Sequence, residues 1–110
     1  MKPWLIVNPE SASGRTGRHF DKIASAVRSA VGEFECAFTK ARGDGKRLAQ
    51  EALAAGGKFV VAVGGDGTAS EVIDGLLDEG LLPDPDSTFG FITRGTGGDL
   101  RRTRGLAENL

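Results

Sequence analysis

Continuous apolar runs alternate along the chain with stretches in which apolar residues recur every three or four positions. The longest continuous run, residues 59–63, lies between glycine-containing segments and is typical of a strand buried on both faces. Residues 18–31 have the spacing of an amphipathic helix. Alternation of these two patterns predicts repeated β–α units, and therefore an α/β fold with a mostly parallel, Rossmann-like sheet.

Four such units fit the sequence. The expected strands are residues 4–7, 33–39, 58–63 and 88–92, and the expected helices are residues 18–31, 44–55, 68–78 and a short one from about residue 99. Residues 33–39 alternate apolar and polar side chains, which indicates a half-buried strand at a sheet edge. Four strands are fewer than an open doubly wound sheet usually has, so we expect one α/β domain over residues 1–110 that a further segment completes.

Composition narrows the classes of function. Fourteen basic and fifteen acidic residues give a net charge of −1, which argues against a nucleic-acid-binding protein. The single cysteine, Cys36, cannot form an internal disulfide or a paired-cysteine metal site, and we interpret it as a small apolar residue. A single cysteine suits a reducing compartment, and no apolar stretch has the length of a signal-peptide core or a membrane span; the expected location is therefore cytoplasmic.

Three predicted strand-to-helix loops are rich in glycine and hydroxyl residues: residues 8–17, 64–68 and 93–99. In an open parallel sheet such loops gather at the carboxyl ends of the strands, where ligands bind. Small residues let backbone N–H groups approach an anion, and the helix N-terminus adds a partial positive charge. Three loops of this kind at one edge of the sheet favour a polyphosphate-binding site. The alternative is that each glycine only relieves strain in a tight turn.

Several common motifs do not fit. The Gly-Lys pairs at 45–46 and 57–58 lack the upstream glycine and following hydroxyl of a P-loop. A dinucleotide fingerprint starting at Gly65 meets Ser70 in place of its third glycine. The single histidine, His19, and the absence of a G-x-S-x-G elbow argue against a Ser-His-Asp hydrolase.

Residues 64–72 resemble the G-G-D-G-T-x-N-E-V block of the diacylglycerol kinase catalytic domain family, which includes bacterial lipid kinases and, more loosely, sphingosine kinases. Residues 8–17 are similar to the N-P-x-[SA] loop of that family, and residues 95–102 resemble its G-T-G-N-D-x-x-R block. The chain departs from the family at Ser70 and Gly98, where the family usually has asparagine.

The resemblance implies a three-layer α/β sandwich like those of NAD kinase and phosphofructokinase, with this chain as the N-terminal nucleotide-binding part and a β-rich second domain outside it. It also implies ATP-dependent phosphorylation of a lipid hydroxyl, such as that of diacylglycerol, with Mg²⁺; the metal ligands stay unassigned. Asp66 would be the catalytic carboxylate. A role in orienting the hydroxyl or the metal ranks ahead of a role as a strong base, because a helix N-terminus stabilises the charged carboxylate. The nucleotide-binding residues carried over by position are Asn8, Thr39, Gly64, Gly65, Gly67, Thr68, Gly95, Thr96 and Gly97.

Two alternatives stay open at this point. The departures at Ser70 and Gly98 are compatible with a non-catalytic nucleotide-binding or regulatory module. The G-G-D-G-T sequence is shared with NAD kinase, which leaves a NAD kinase-like activity open. In the whole protein the expected partners are ATP, a lipid substrate and, transiently, a membrane surface, while unpaired sheet edges leave homo-oligomerisation open.

Overall fold

A five-stranded sheet forms the centre of the computed structural model, which describes residues 2–11, 13–77, 88–93 and 100–104. The strands are β1 (Pro3–Val7), β2 (Glu35–Phe38), β3 (Phe59–Gly64), β4 (Thr88–Thr93) and β5 (Leu100–Arg104). Their order across the sheet is β2-β1-β3-β4-β5. Neighbouring strands from β2 to β4 pair in parallel, whereas β5 is antiparallel to β4. The predicted parallel sheet and the edge position of the second strand are confirmed.

Helices cover both faces of the sheet. They are α1 (Arg15–Arg18), α2 (Phe20–Val31), α3 (Asp44–Ala54) and α4 (Asp66–Leu77). On one face, buried residues of β1 and β3 such as Ile6 and Val60 belong to the same core cluster as residues of α3 and α4. On the other face, Leu5 and Val61 cluster with α2. The layers are therefore helix, sheet and helix, which confirms the predicted three-layer sandwich.

All six residues of β3 are buried. Successive side chains of a strand point to opposite faces, so a central strand between two helical layers needs apolar residues at every position. Phe59, Val61 and Val63 enter the α2 side, and Val60 and Ala62 enter the α3–α4 side. This two-sided burial explains the continuous apolar run in the sequence.

The segment after β4 differs from prediction. The sequence predicts a short helix from about residue 99, but the chain forms β5 there, with Leu100 opposite Ile92 and Arg104 opposite Thr88. Arginine and leucine are good helix formers, but helix propensity is a small term per residue, and without β5 the edge of β4 would present a row of unpaired backbone groups. Antiparallel pairing satisfies those groups, so tertiary structure overrides local propensity.

Smaller differences concern element boundaries and exposure. The first expected helix is divided, because His19 has φ −108° and ψ 14° and separates α1 from α2. Helix α4 begins at Asp66, two residues before the expected start. Cys36 is exposed on the edge strand rather than packed as a core residue, although desolvation raises the pKa of its thiol to about 11. The expected helix end at residue 80 and the loop at 83–87 lie outside the described residues.

Helices α3 and α4 approach closely at a glycine. A Cβ atom on Gly75 of α4 would lie 2.9 Å from the Cβ of Ala49 and would overlap the carbonyl oxygen of Lys46 in α3. Gly75 does not have a positive φ, so its backbone alone does not require glycine. Helix contact is therefore the reason for glycine at this position.

We expect Gly75→Ala to lower the free energy of unfolding by about 1–3 kcal/mol, because overpacking against the α3 backbone outweighs the gain in helix propensity. Urea denaturation followed by circular dichroism measures this difference. Asp74→Ala, at the neighbouring exposed position, is the control. A Gly75→Ala protein more stable than wild type would contradict the close packing of these helices.

Candidate functional site

A cleft of about 380 Å³ opens at the carboxyl ends of β1, β2 and β3. Three parallel strands end at this edge of the sheet, so the loops that follow them meet there. The lining residues are Asn8, Glu10 and Ser11 after β1; Thr39, Lys40, Ala41 and Arg42 after β2; and Gly65, Gly67, Thr68 and Glu71 after β3.

A chain of hydrogen bonds holds the loop after β1. The side-chain oxygen of Asn8 accepts a bond from the backbone N–H of Glu10 at 3.0 Å. The Ser11 hydroxyl donates to the carbonyl oxygen of Asn8 at 2.9 Å and also bonds the hydroxyl of Thr16. Because Ser11 has one hydroxyl hydrogen, Thr16 must be the donor in the second bond. Thr16 is only 2% exposed, so it is a buried anchor for this loop.

The loops after β1 and β3 touch at Gly64. This glycine has φ +155°, and a Cβ there would lie 2.7 Å from Thr68 Oγ1 and 3.3 Å from Ser11 Oγ. Both the backbone conformation and the space therefore require glycine. Gly64 does not line the cleft; it lets the Ser11 and Thr68 hydroxyls approach the end of β3.

Neither the backbone conformation nor the space requires glycine at positions 65 and 67. Neither has a positive φ, and a Cβ at either position would have no atom within 4 Å. Both residues line the cleft, so an added side chain would project into open space that a ligand could otherwise fill. Packing within the described part of the chain does not explain why these positions are glycine.

The loop after β2 forms another side of the cleft. Its first residue, Thr39, is 9% exposed, and its N–H donates to the carbonyl oxygen of Val7 at 2.8 Å. The next N–H groups, of Lys40 and Ala41, both donate to Oδ2 of Asp44, at 2.8 and 3.1 Å. These bonds, above all that from Lys40, hold the pKa of the Asp44 carboxyl below its usual range.

The cleft carries charges of both signs. Lys40 and Arg42 lie on the β2 side, and Glu10 and Glu71 lie on the other sides. Glu71 Oε1 accepts a bond from the backbone N–H of Gly45 at 3.0 Å. A ligand with both anionic groups and hydrogen-bond donors matches this lining better than a simple anion does.

Comparison with known proteins identifies the family. The family model for the diacylglycerol kinase catalytic domain matches residues 2–110. The chain belongs to the diacylglycerol kinase catalytic domain family. It is 36% identical over 105 residues to "Probable lipid kinase YegS-like" of Chromohalobacter salexigens and 31% identical over 102 residues to "Diacylglycerol kinase" of Bacillus subtilis, matches that cover 96% and 93% of this chain.

Solved structures agree with the family assignment. A crystal structure of a diacylglycerol kinase from Bacillus anthracis superimposes with a TM-score of 0.70 at 32% sequence identity, covering 86% of this chain and 33% of that one. The two curated relatives are likewise covered over 32% of their length. This diacylglycerol kinase-like chain thus spans about a third of the length of the proteins it matches.

The structure brings together five of the nucleotide-binding residues carried over from the family: Asn8, Thr39, Gly65, Gly67 and Thr68 all line the cleft. Gly64 lies behind the cleft wall, and Gly95, Thr96 and Gly97 lie outside the described residues. Asp66 is exposed at the start of α4 and does not line the cleft. Its catalytic role stays a prediction.

Sequence analysis did not single out the other six cleft residues as individual sites: Glu10, Ser11, Lys40, Ala41, Arg42 and Glu71. Two signals could have identified some of them. Residues after Thr39 follow the carboxyl end of β2, which lies at the same edge as the other strand ends. Glu71 is three residues after Thr68 in α4, so both occupy one helix face.

Within the described ranges, no group of three or more His, Cys, Asp or Glu residues could hold a metal ion. The carboxylates of Glu10 and Glu71 line the cleft, and they fit a Mg²⁺ ion that is bound by one or two carboxylates together with substrate phosphates. No helix among the described residues has the length and apolar character needed to cross a membrane.

Thr16→Val tests the buried anchor of the loop after β1. We expect the free energy of unfolding to fall by about 1 kcal/mol, because valine keeps the shape but removes the bond to Ser11. Thr16→Ser, which keeps the hydroxyl, separates the hydrogen bond from the packing of the methyl group. Equal stability of wild type and Thr16→Val in thermal denaturation, with Thr16→Ser the less stable variant, would show that the hydroxyl contributes nothing.

Proposed function

We propose that this chain is the nucleotide-binding part of an ATP-dependent lipid kinase, which transfers a phosphoryl group to the hydroxyl of a lipid such as diacylglycerol. The observation that carries the proposal is the open space at Gly65 and Gly67. Two glycines that no contact among the described residues requires line a cleft at the start of a helix. Membership of the diacylglycerol kinase family supplies the class of chemistry.

The start of α4 suits a phosphate group. The first N–H groups of a helix have no partner within the helix, and they carry the positive end of its dipole. Gly65 and Gly67 keep side chains away from these groups, and the Thr68 hydroxyl lies at the same end. Asn8 and Thr39, at the ends of β1 and β2, would contact the remaining parts of the nucleotide.

Positioning and charge neutralisation account for most of the catalysis of phosphoryl transfer. ATP would supply the phosphoryl group, and Mg²⁺ would neutralise charge on its phosphates. Asp66 is the carboxylate we assign to orienting the acceptor hydroxyl or holding the ion, because it begins α4 beside the glycines that face the cleft. Lys40 and Arg42 provide positive charge on the opposite wall.

The acceptor site needs more than the described residues provide. The chain covers about a third of its relatives, and its cleft is lined by residues of both charges rather than by a long apolar groove. We assign the lipid pocket to a β-rich second domain of the whole protein. The whole protein would act in the cytoplasm and contact the membrane surface transiently.

Calorimetric titration of the chain with Mg²⁺ and ATP tests the nucleotide site. We expect binding by wild type and at least tenfold weaker binding by Gly65→Val, because the new side chain would occupy the approach to the helix N-terminus. Ala30→Val is the matched control: it adds a similar bulk at an exposed position near the end of α2, on the amino-terminal side of the sheet. Equal affinity in all three proteins would contradict the assignment of the glycines.

The second test concerns the reaction and uses a chain extended to the length of the curated relatives. We expect ATP-dependent phosphorylation of diacylglycerol in vesicles, and a loss of at least a hundredfold in kcat for Asp66→Asn with little change in KM for ATP. Glu51→Gln, an exposed change in α3, is the control. Retained turnover in Asp66→Asn would contradict a catalytic role for Asp66. Turnover with NAD and with no lipid would favour the NAD kinase-like alternative.

A further inference from the structure

The wall of the cleft after β2 is a short loop with little support from the sheet. Strand β2 is at the edge of the sheet, and the loop residues Lys40, Ala41 and Arg42 are exposed. All three line the cleft. A wall built from exposed loop residues keeps its shape only if another part of the chain binds its backbone.

Asp44 binds that backbone. One oxygen atom of its carboxylate, Oδ2, accepts both the Lys40 N–H at 2.8 Å and the Ala41 N–H at 3.1 Å. The backbone N–H of Asp44 donates in turn to the carbonyl oxygen of Ala41 at 3.2 Å. The first residue of α3 therefore closes the loop on itself.

The same turn of α3 is connected to the opposite wall. The N–H of Gly45, adjacent to Asp44, donates to Oε1 of Glu71 in α4 at 3.0 Å. A Cβ on Gly45 would lie 2.9 Å from both Cβ and Oε1 of Glu71, so glycine permits this approach. Glu71 is itself a cleft residue, one turn after Thr68.

We propose that Asp44 is a positioning residue for nucleotide binding, which holds the β2–α3 loop as one wall of the cleft, and that the Gly45–Glu71 bond fixes this wall relative to α4. This inference rests on the proposed function, because it concerns the nucleotide that the cleft would bind. Asp44 acts through the backbone of Lys40 and Ala41, and it does not line the cleft.

The other partner of Asp44 cannot explain its place. The Arg47 guanidinium lies 3.6 Å from Oδ1 of Asp44 and 2.7 Å from Oε2 of Glu51. Its side chain is 57% exposed, and exposed ion pairs contribute little to the stability of a fold. Hydrogen bonds from N–H groups to a charged acceptor are stronger than those between neutral groups. The loop bonds are therefore the interaction to remove in a test.

The test compares Asp44→Ala, Asp44→Asn and Arg47→Ala by calorimetric titration with Mg²⁺ and ATP. Alanine removes the acceptor, and we expect the dissociation constant to rise about tenfold. Asparagine keeps a carbonyl oxygen that can accept both N–H groups, so its dissociation constant should stay within about threefold of wild type. Arg47→Ala removes the ion pairs but leaves the loop bonds, so its affinity should equal that of wild type.

Amide hydrogen exchange separates this role from a general loss of stability. In Asp44→Ala the N–H groups of Lys40 and Ala41 should exchange at least tenfold faster, while that of Val61 in the central strand stays protected. Tight nucleotide binding by Asp44→Ala, or unchanged exchange at Lys40 and Ala41, would overturn the positioning role. If wild type does not bind ATP, the proposed function fails and the nucleotide role of Asp44 fails with it; the exchange rates then show separately whether Asp44 holds the loop.

Discussion

The parallel pairing of β1, β3 and β4 is the constraint on which the rest of the structure depends. Strand β3 lies between the other two and is buried throughout, so a shift by one residue would turn the side chains that face α2 toward α3 and α4, and the reverse. Register fixes where each strand ends: Val7 lies beside Val63, and Val63 beside Ile92. The cleft follows from this register, because the loops after aligned strand ends must share one edge of the sheet.

Glycine has three different physical roles in this chain. Gly75 lets two helices touch, and Gly64 adopts a backbone conformation and a close approach that a side chain would prevent. Gly65 and Gly67 serve neither purpose, since a Cβ at either position would have no atom within 4 Å among the described residues. Composition treats these residues alike, whereas the structure separates the glycines that packing requires from those that no described contact explains.

The sequence predicted the elements whose pattern depends on burial. The run at residues 59–63 identified β3, and the helical spacing of Ile23, Ala24 and Val27 identified α2, because two-sided and one-sided burial leave different periods. Strand β5 was predicted as a helix because its pattern contains no such period; its state depends on the free edge of β4, which is a tertiary property. Five cleft residues followed from the family resemblance, whereas Lys40 and Arg42 were not singled out, because their place in the cleft depends on the alignment of the strand ends.

The hydrogen bonds of Asp44 show why local sequence patterns did not identify its role at the site. An acidic residue at the start of a helix is usually explained by the helix dipole, and that explanation would apply to Asp44 and Asp66 alike. The structure separates them: Asp44 uses one oxygen to hold two loop N–H groups, whereas Asp66 is exposed at the end of the strand that supplies the glycines. An acid that accepts two N–H groups of the preceding loop is suited to holding that loop in place, whereas the catalytic role of the exposed Asp66 stays a prediction.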